Sequence, residues 1–118
     1  MDSFKQRSSL ECRKEESARI LTKYADKVPL IVTKSKKTQL QNIDKNKFLV
    51  PNDMTLGQFL IVIRKRIKLK PEESLFMLVK DKSLIEASKT LSEVYNEYKD
   101  EDGFLYITYC GENVFGFQ

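Results

Sequence analysis

One stretch constrains the fold of this chain more than any other: residues 55–67, which read TLGQFLIVIRKRI. Thr55 stands three residues before Gln58, the spacing of a capping box that opens a helix. Leu56, Phe59, Leu60, Ile63 and Ile67 then fall at i, i+3, i+4, i+7 and i+11, which puts them on one helical face. Pro71 is the expected limit of that helix. An amphipathic helix of this kind needs an apolar surface to lie across.

The neighbouring segments offer a sheet. Residues 28–33 (VPLIVT) are almost continuously apolar and read as a strand, with Pro29 near its start pointing to an edge position. Residues 34–47 form a basic, polar connection, and residues 47–51 (KFLVP) read as a second short strand closed by proline. Residues 74–80 (SLFMLVK) and 104–109 (FLYITY) complete the strands. Leu91, Val94, Tyr95 and Tyr98 mark a short helix between them. Residues 10–25 form a further helix, with Ile20, Leu21 and Tyr24 at helical spacing. A hairpin, a helix across one sheet face and two further strands is the β-grasp order of ubiquitin-like domains. The expected class is therefore α+β, a four-stranded mixed sheet with an additional N-terminal helical segment on its far face. The expected divisions are residues 1–26 for that extension, 27–110 for the core and 111–118 for a flexible tail.

Composition narrows the chemistry. The 118 residues include no histidine and two cysteines, Cys12 and Cys110. Without histidine there is no Ser–His or Cys–His nucleophile and no usual nitrogen ligand for zinc. Only Gly57, Gly103, Gly111 and Gly116 exist, so no glycine-rich phosphate loop can form. The expectation is a protein that is not an enzyme and holds no metal or cofactor. Two distant cysteines make no disulfide framework, and the start carries no secretory signal pattern, so the expected compartment is reducing and cytoplasmic. The net charge of +4 conceals a split: residues 1–70 carry 17 Lys/Arg against 7 Asp/Glu, whereas residues 71–118 carry 4 against 10. The basic half should attract acidic partners.

Two features suggest a binding surface. On residues 47–51, alternation puts Phe48 and Val50 on one face and Lys47, Leu49 and Pro51 on the other. On the central helix, Phe59, Val62 and Arg66 form a second line beside the core stripe. A strand with apolar side chains on both faces and lysines around it could accept an extended peptide by strand addition. The alternative is that each face is simply covered by a helix. Beyond residue 109 nothing is patterned for burial, and the tail carries Gly116, whose missing Cβ would let the backbone lie in a narrow cleft.

These segments resemble the autophagy-related protein 8 family of ubiquitin-like modifiers, which includes the GABA-receptor-associated protein and the microtubule-associated light-chain modifiers. The likeness runs from about Phe4 to Gly116. It rests on IDKNKFLVP (43–51), TLGQF (55–59), IRKRI (63–67), DGFLYITY (102–109) and GENVFG (111–116). The resemblance implies cleavage after Gly116 by a cysteine protease, which would release Phe117-Gln118 and use Phe115 for recognition. Activating and conjugating enzymes would then join Gly116 to phosphatidylethanolamine on autophagosome membranes, and the same protease class would remove it. The resemblance also implies binding of cargo receptors and adaptors through aromatic-x-x-aliphatic motifs. The aromatic pocket would comprise Glu16, Ile20, Pro29, Ile31, Lys47, Leu49 and Phe104. The aliphatic pocket would comprise Phe48, Val50, Pro51, Met54, Phe59 and Val62, and Lys27, Lys45, Lys47 and Arg66 would meet acidic flanks.

There are departures from the family pattern. Residues 80–90 lack the usual paired prolines and are one residue longer, so that loop does not transfer. Phe48 stands where tyrosine is common, and Cys110 where serine is. Two rival readings are an unconjugated ubiquitin-like scaffold and a basic nucleic-acid-binding module using Tyr24, Phe48 and Phe59. The second needs exposed aromatic platforms, whereas these side chains suit core or pocket positions, so no nucleic-acid partner is expected.

Overall fold

The computed structural model describes residues 3–80 and 83–111. The central helix, α3 (Leu56–Arg66), follows α1 (Phe4–Arg7), α2 (Leu10–Lys23), β1 (Lys27–Lys34) and β2 (Lys47–Pro51). After it come β3 (Phe76–Val79), β4 (Ser83–Leu84), α4 (Leu91–Tyr98) and β5 (Leu105–Cys110). Both halves of the expected capping box are present. Thr55 Oγ1 accepts the Gln58 amide at 3.2 Å, and Gln58 Oε1 accepts the Thr55 amide at 2.9 Å. Leu56, Phe59, Ile63 and Ile67 are all buried, so the stripe faces the core as its spacing requires.

The helix stops earlier than Pro71. Lys68 takes a left-handed conformation with φ 52°. Its amide reaches the Lys65 carbonyl at 3.3 Å while the Leu69 amide reaches that of Arg64 at 3.0 Å. This is a Schellman closure with lysine where glycine is usual. Arg64, Lys65 and Arg66 fill the last turn, where cations complement the helix dipole.

The strands form one mixed sheet in the order β2-β1-β5-β3-β4. β1 runs parallel to β5 and antiparallel to β2, and β3 is antiparallel to both β5 and β4. Two expectations are corrected here. Among the described residues the sheet has five strands rather than four, the additional one being the two-residue β4. Pro29 does not mark an edge, because β1 lies between β2 and β5. Pairing with β5 begins only at Leu30↔Leu105, and the Val32 amide bonds the carbonyl of Asn46, just ahead of β2. By alternation the nitrogen of Pro29 points toward β5 before that ladder starts, so no ladder bond is lost.

Helices cover both faces, which explains why β1 is apolar throughout. On one face α3 and α4 close a core that includes Leu30, Phe48, Val50, Phe59, Ile63, Leu105 and Ile107. On the other, a smaller cluster gathers Phe4, Ile31 and Phe104, with Ile20 and Tyr106 against it. α1 was not expected from the sequence. Its Ser3-x-x-Gln6 capping box carries the same signature as Thr55-x-x-Gln58, as does Thr90-x-x-Glu93 at the start of α4.

Candidate peptide-docking edge and tail exit

β2 is an edge strand, with β1 its only neighbour among the described residues. The register pairs Leu30 with Phe48, and the Val32 amide bonds Asn46 at 2.8 Å. Alternation therefore turns the backbone groups of Phe48 toward β1, and those of Lys47 and Leu49 outward. Those outward groups are what an added strand would pair with.

The side chains of β2 divide as their alternation predicts, with Phe48 and Val50 buried and Lys47 and Leu49 exposed. On the α2 side, Lys47 lies opposite Ile31 and Leu49 opposite Pro29. Phe104, just ahead of β5, continues that face beside Ile31. α2 supplies Ile20 and Glu16, whose Oε2 lies 2.9 Å from Lys47 Nζ. The structure thus brings the proposed aromatic-pocket residues onto one face of the sheet under one helix. A cavity of about 330 Å³ opens beside Glu16 and Ile20, bordered also by Arg19, Lys23 and Tyr24.

Sequence reasoning assigned no role to Phe4 here. Its ring meets Phe104 edge-on at 5.2 Å, and the Lys47 ammonium sits 4.4 Å from its centroid. Ile31 and Phe104 are each 1% exposed. An incoming aromatic ring would therefore enter between Leu49, Ile20 and the Lys47–Glu16 pair, with Ile31 and Phe104 as the floor. The capping box at Ser3 is the signal that would have placed a helix here; the destination of Phe4 is a tertiary contact.

On the α3 side, Phe48 meets Phe59 edge-on at 5.5 Å, and Val50, Met54 and Val62 pack in the same core. Pro51 is outside that cluster. It alternates with Lys47 and Leu49, and its carbonyl accepts the Met54 amide at 3.2 Å. Phe59 and Phe48 are 0% and 7% exposed, so neither ring offers a face for base stacking.

The four proposed cations are not gathered at one point. Lys27 pairs with Pro51 at one end of β2. Lys45 and Arg66 lie 5.0 and 5.3 Å from the Phe48 ring at the other, where Arg66 Nη1 also meets Asp44 Oδ1 at 3.0 Å. That ion pair is exposed and therefore weak, so a peptide carboxylate could replace Asp44.

A buried polar network fixes the floor. Asp102 Oδ2 accepts from Arg13 Nε at 2.8 Å and from the Tyr106 hydroxyl, while Oδ1 accepts the Phe104 amide at 2.9 Å. Burial first, then the bond to Asp102, pushes the Tyr106 phenol well above its usual pKa.

At the end of β5, Thr38 Oγ1 accepts the Gly111 amide at 3.0 Å, and the Ser35 amide donates to the Tyr109 carbonyl at 2.9 Å. This fixes the point from which the tail departs. Phe115, Gly116 and Phe117 lie outside the described residues. Cys12 is exposed, and Cys110 is buried with its thiol pushed up by desolvation. Among the described residues no helix is long and apolar enough to cross a membrane, and no cluster of potential metal ligands occurs.

A β-grasp core with helices on both faces of its sheet is a ubiquitin-like architecture. A family model described as "Autophagy protein Atg8 ubiquitin like" matches residues 12–116, and the chain belongs to that family. Autophagy-related protein 8A of Oryza sativa subsp. indica is 55% identical over 114 residues, covering 97% of this chain and 95% of its own. Autophagy-related protein 8 of Emericella nidulans is 54% identical over 113 residues, with 96% and 95% covered. The crystal structure of Trypanosoma brucei ATG8 superimposes with a TM-score of 0.88 at 39% identity, covering 98% of this chain and all of that one. This is an autophagy ubiquitin-like protein of the Atg8 family.

Proposed function

We propose that this chain is a ubiquitin-like modifier, cleaved after Gly116 and conjugated there to phosphatidylethanolamine on autophagosome membranes. On this reading it does no catalysis of its own. A cysteine protease exposes the Gly116 carboxylate, an activating enzyme adenylates it and takes it as a thioester, and a conjugating enzyme passes it to the lipid amine. The chain contributes the Gly116 carboxyl group, five residues beyond the Gly111 amide that Thr38 holds. The family match ends at residue 116 itself, which supports this cleavage point.

The observation that carries the recruiting role is the open edge of β2. Its outward backbone groups at Lys47 and Leu49 would pair with an extended motif. The motif's aromatic residue would enter beside Leu49 and Ile20, and its aliphatic residue, three positions further on, would reach Val62 and Met54. Acidic residues before the motif would meet the surrounding lysines.

Intact-mass measurement of the cellular protein tests the conjugation reading. Loss of Phe117-Gln118 together with gain of a phospholipid is the expected result. A chain that ends at Gln118 throughout autophagy induction would leave it an unconjugated scaffold and overturn the reading.

A further inference from the structure

The basic half of the sequence has a spatial counterpart. Residues 34–37 (KSKK) border the tail exit, where the Ser35 amide bonds the Tyr109 carbonyl and Thr38 holds the Gly111 amide. The end of α3 reaches the same pole. Arg66 bonds Asp44 in the connection that follows residues 34–37, and Arg64 donates to the Lys70 carbonyl at 3.0 Å. That chain leads into β3, whose Phe76 lies opposite Cys110. Lys36, Lys37, Lys65, Lys68 and Lys70 are exposed there, and among the described residues none of their side chains forms an ion pair. Exposed acidic residues of the second half lie at both ends: Glu72 and Glu73 follow Lys70 at the tail-exit pole, and a larger group stands at the opposite pole, on α4 and the turn before β5. Glu93, Glu97, Asp100 and Glu101 lie there.

The geometry points to the tail-exit pole as a surface for an anionic bilayer, which orients the anchored protein with Lys36, Lys37, Lys65 and Lys68 facing the lipid headgroups. This rests on the proposed attachment at Gly116. Gly116 stands five residues beyond Gly111, so its carboxyl lies at most about 18 Å from that pole. A short tether keeps these lysines close to the membrane, and within a Debye length of about 8 Å an anionic surface attracts them strongly. The acidic pole is repelled by the same field. This orientation leaves the β2 edge at the side of the molecule, open to an approaching peptide.

The test separates this surface from the conjugation chemistry. The full chain with a hexahistidine tag after Gln118 is tethered to nickel-chelating vesicles of phosphatidylcholine, with or without phosphatidylserine. Lysine acetylation is then read residue by residue. Phosphatidylserine should slow labelling of Lys36, Lys37, Lys65 and Lys68 several-fold. Lys23, Lys89 and Lys99 should be unchanged, and high salt should erase the difference. Replacing Lys36, Lys37, Lys65 and Lys68 with glutamine should remove the orientation with only a small fall in melting temperature, since the favourable charge of Lys65 at the end of α3 is lost but not reversed. Equal labelling on both vesicle types overturns the proposal, even if the cellular protein carries a lipid. Protection by polyglutamate but not by phosphatidylserine also overturns it and assigns the pole to an acidic protein. If the lysines are protected and the cellular protein lacks a lipid, the surface stands and only the attachment reading fails.

Discussion

Arg13 Nε donates to Asp102 Oδ2 at 2.8 Å, and the carboxylate is fully buried while the guanidinium side chain is 9% exposed. The same guanidinium donates from Nη1 to the Lys5 and Ser8 carbonyls, so one side chain ties the α1–α2 junction to the turn before β5. Removing either partner strands a charge that the fold encloses, and breaking such a pair is among the costlier single changes. Arg13→Ala and Asp102→Asn should each lower the melting temperature by on the order of 10 °C. The double variant should lose less than the two singles combined, because neither charge is then left unpaired. Thermal denaturation of the four proteins measures the coupling.

Gly103, in the same turn, has φ +90°, and a Cβ there would lie within 3 Å of the Ser17 side chain. Gly103→Ala therefore meets backbone strain of roughly 1–3 kcal/mol in addition to the clash. Ser17 Oγ donates to the Asp102 carbonyl at 2.6 Å, so it cannot move away without losing that bond. Chemical denaturation should show Gly103→Ala destabilised, with Ser17→Gly relieving the contact but not the strain. Full restoration by Ser17→Gly would place the whole cost in the clash.

How much of this was legible in the sequence depends on whether the signal was local. α3 could be read because cap and stripe agree within thirteen residues. Its end could not, because Lys68 carries no mark of the left-handed conformation it adopts. Pro29 was misread as an edge residue, since proline reports its own missing N–H and not whether a neighbouring ladder has begun. The two-residue β4 is too short to leave a periodic pattern. At the candidate site, alternation on β2 separated Phe48 and Val50 from Lys47 and Leu49. Phe4 lying against Phe104, and Asp102 holding the Phe104 amide, join residues that sequence spacing does not connect.

Tyr109 sets a limit at alkaline pH. It is fully buried with its hydroxyl on the Gln41 carbonyl, and burial pushes its pKa up to about 12. An unfolded tyrosine ionises near 10. The folded state therefore holds its proton more tightly, and the stabilisation is complete below pH 10. It declines as pH rises from 10 to about 12, by about 1.4 kcal/mol per pH unit at most. Tyr109→Phe should be less stable at neutral pH for loss of the hydrogen bond, yet flatter in stability across that alkaline window. Equal slopes in the two proteins would remove Tyr109 as the cause.

For motif binding, the structure separates a clean probe from a confounded one. Phe48 is buried against Phe59, so Phe48→Ala should cost about 3–5 kcal/mol of stability as well as any binding. The double replacement of Phe48 and Leu49 should abolish motif binding, but its loss mixes both effects. Leu49 is 38% exposed, so Leu49→Ala should leave the melting temperature nearly unchanged. It should weaken an aromatic-x-x-aliphatic peptide by roughly tenfold, consistent with about 1–2 kcal/mol of lost apolar contact. Lys47→Ala removes the Glu16 pair at the entrance and should chiefly weaken peptides with acidic flanks. Calorimetric titration distinguishes them, and unaltered affinity in Leu49→Ala would place the peptide on another surface.

Gly116→Ala tests the tail by itself. The substitution leaves every residue of the two core clusters unchanged, so folding should be unchanged. On the proposed function, residue 116 threads into the protease and the conjugating enzymes, and an added methyl group would occupy the space that glycine leaves open. Cleavage of Phe117-Gln118 should slow by an order of magnitude or more, and membrane-bound protein should fall in proportion, while motif peptides bind as before. That last result is the necessary control, because the substitution leaves every residue of the β2 edge unchanged. Mass spectrometry of the cellular protein with a membrane-flotation assay reads both outcomes. Normal processing and flotation of Gly116→Ala would move the conjugation site away from residue 116.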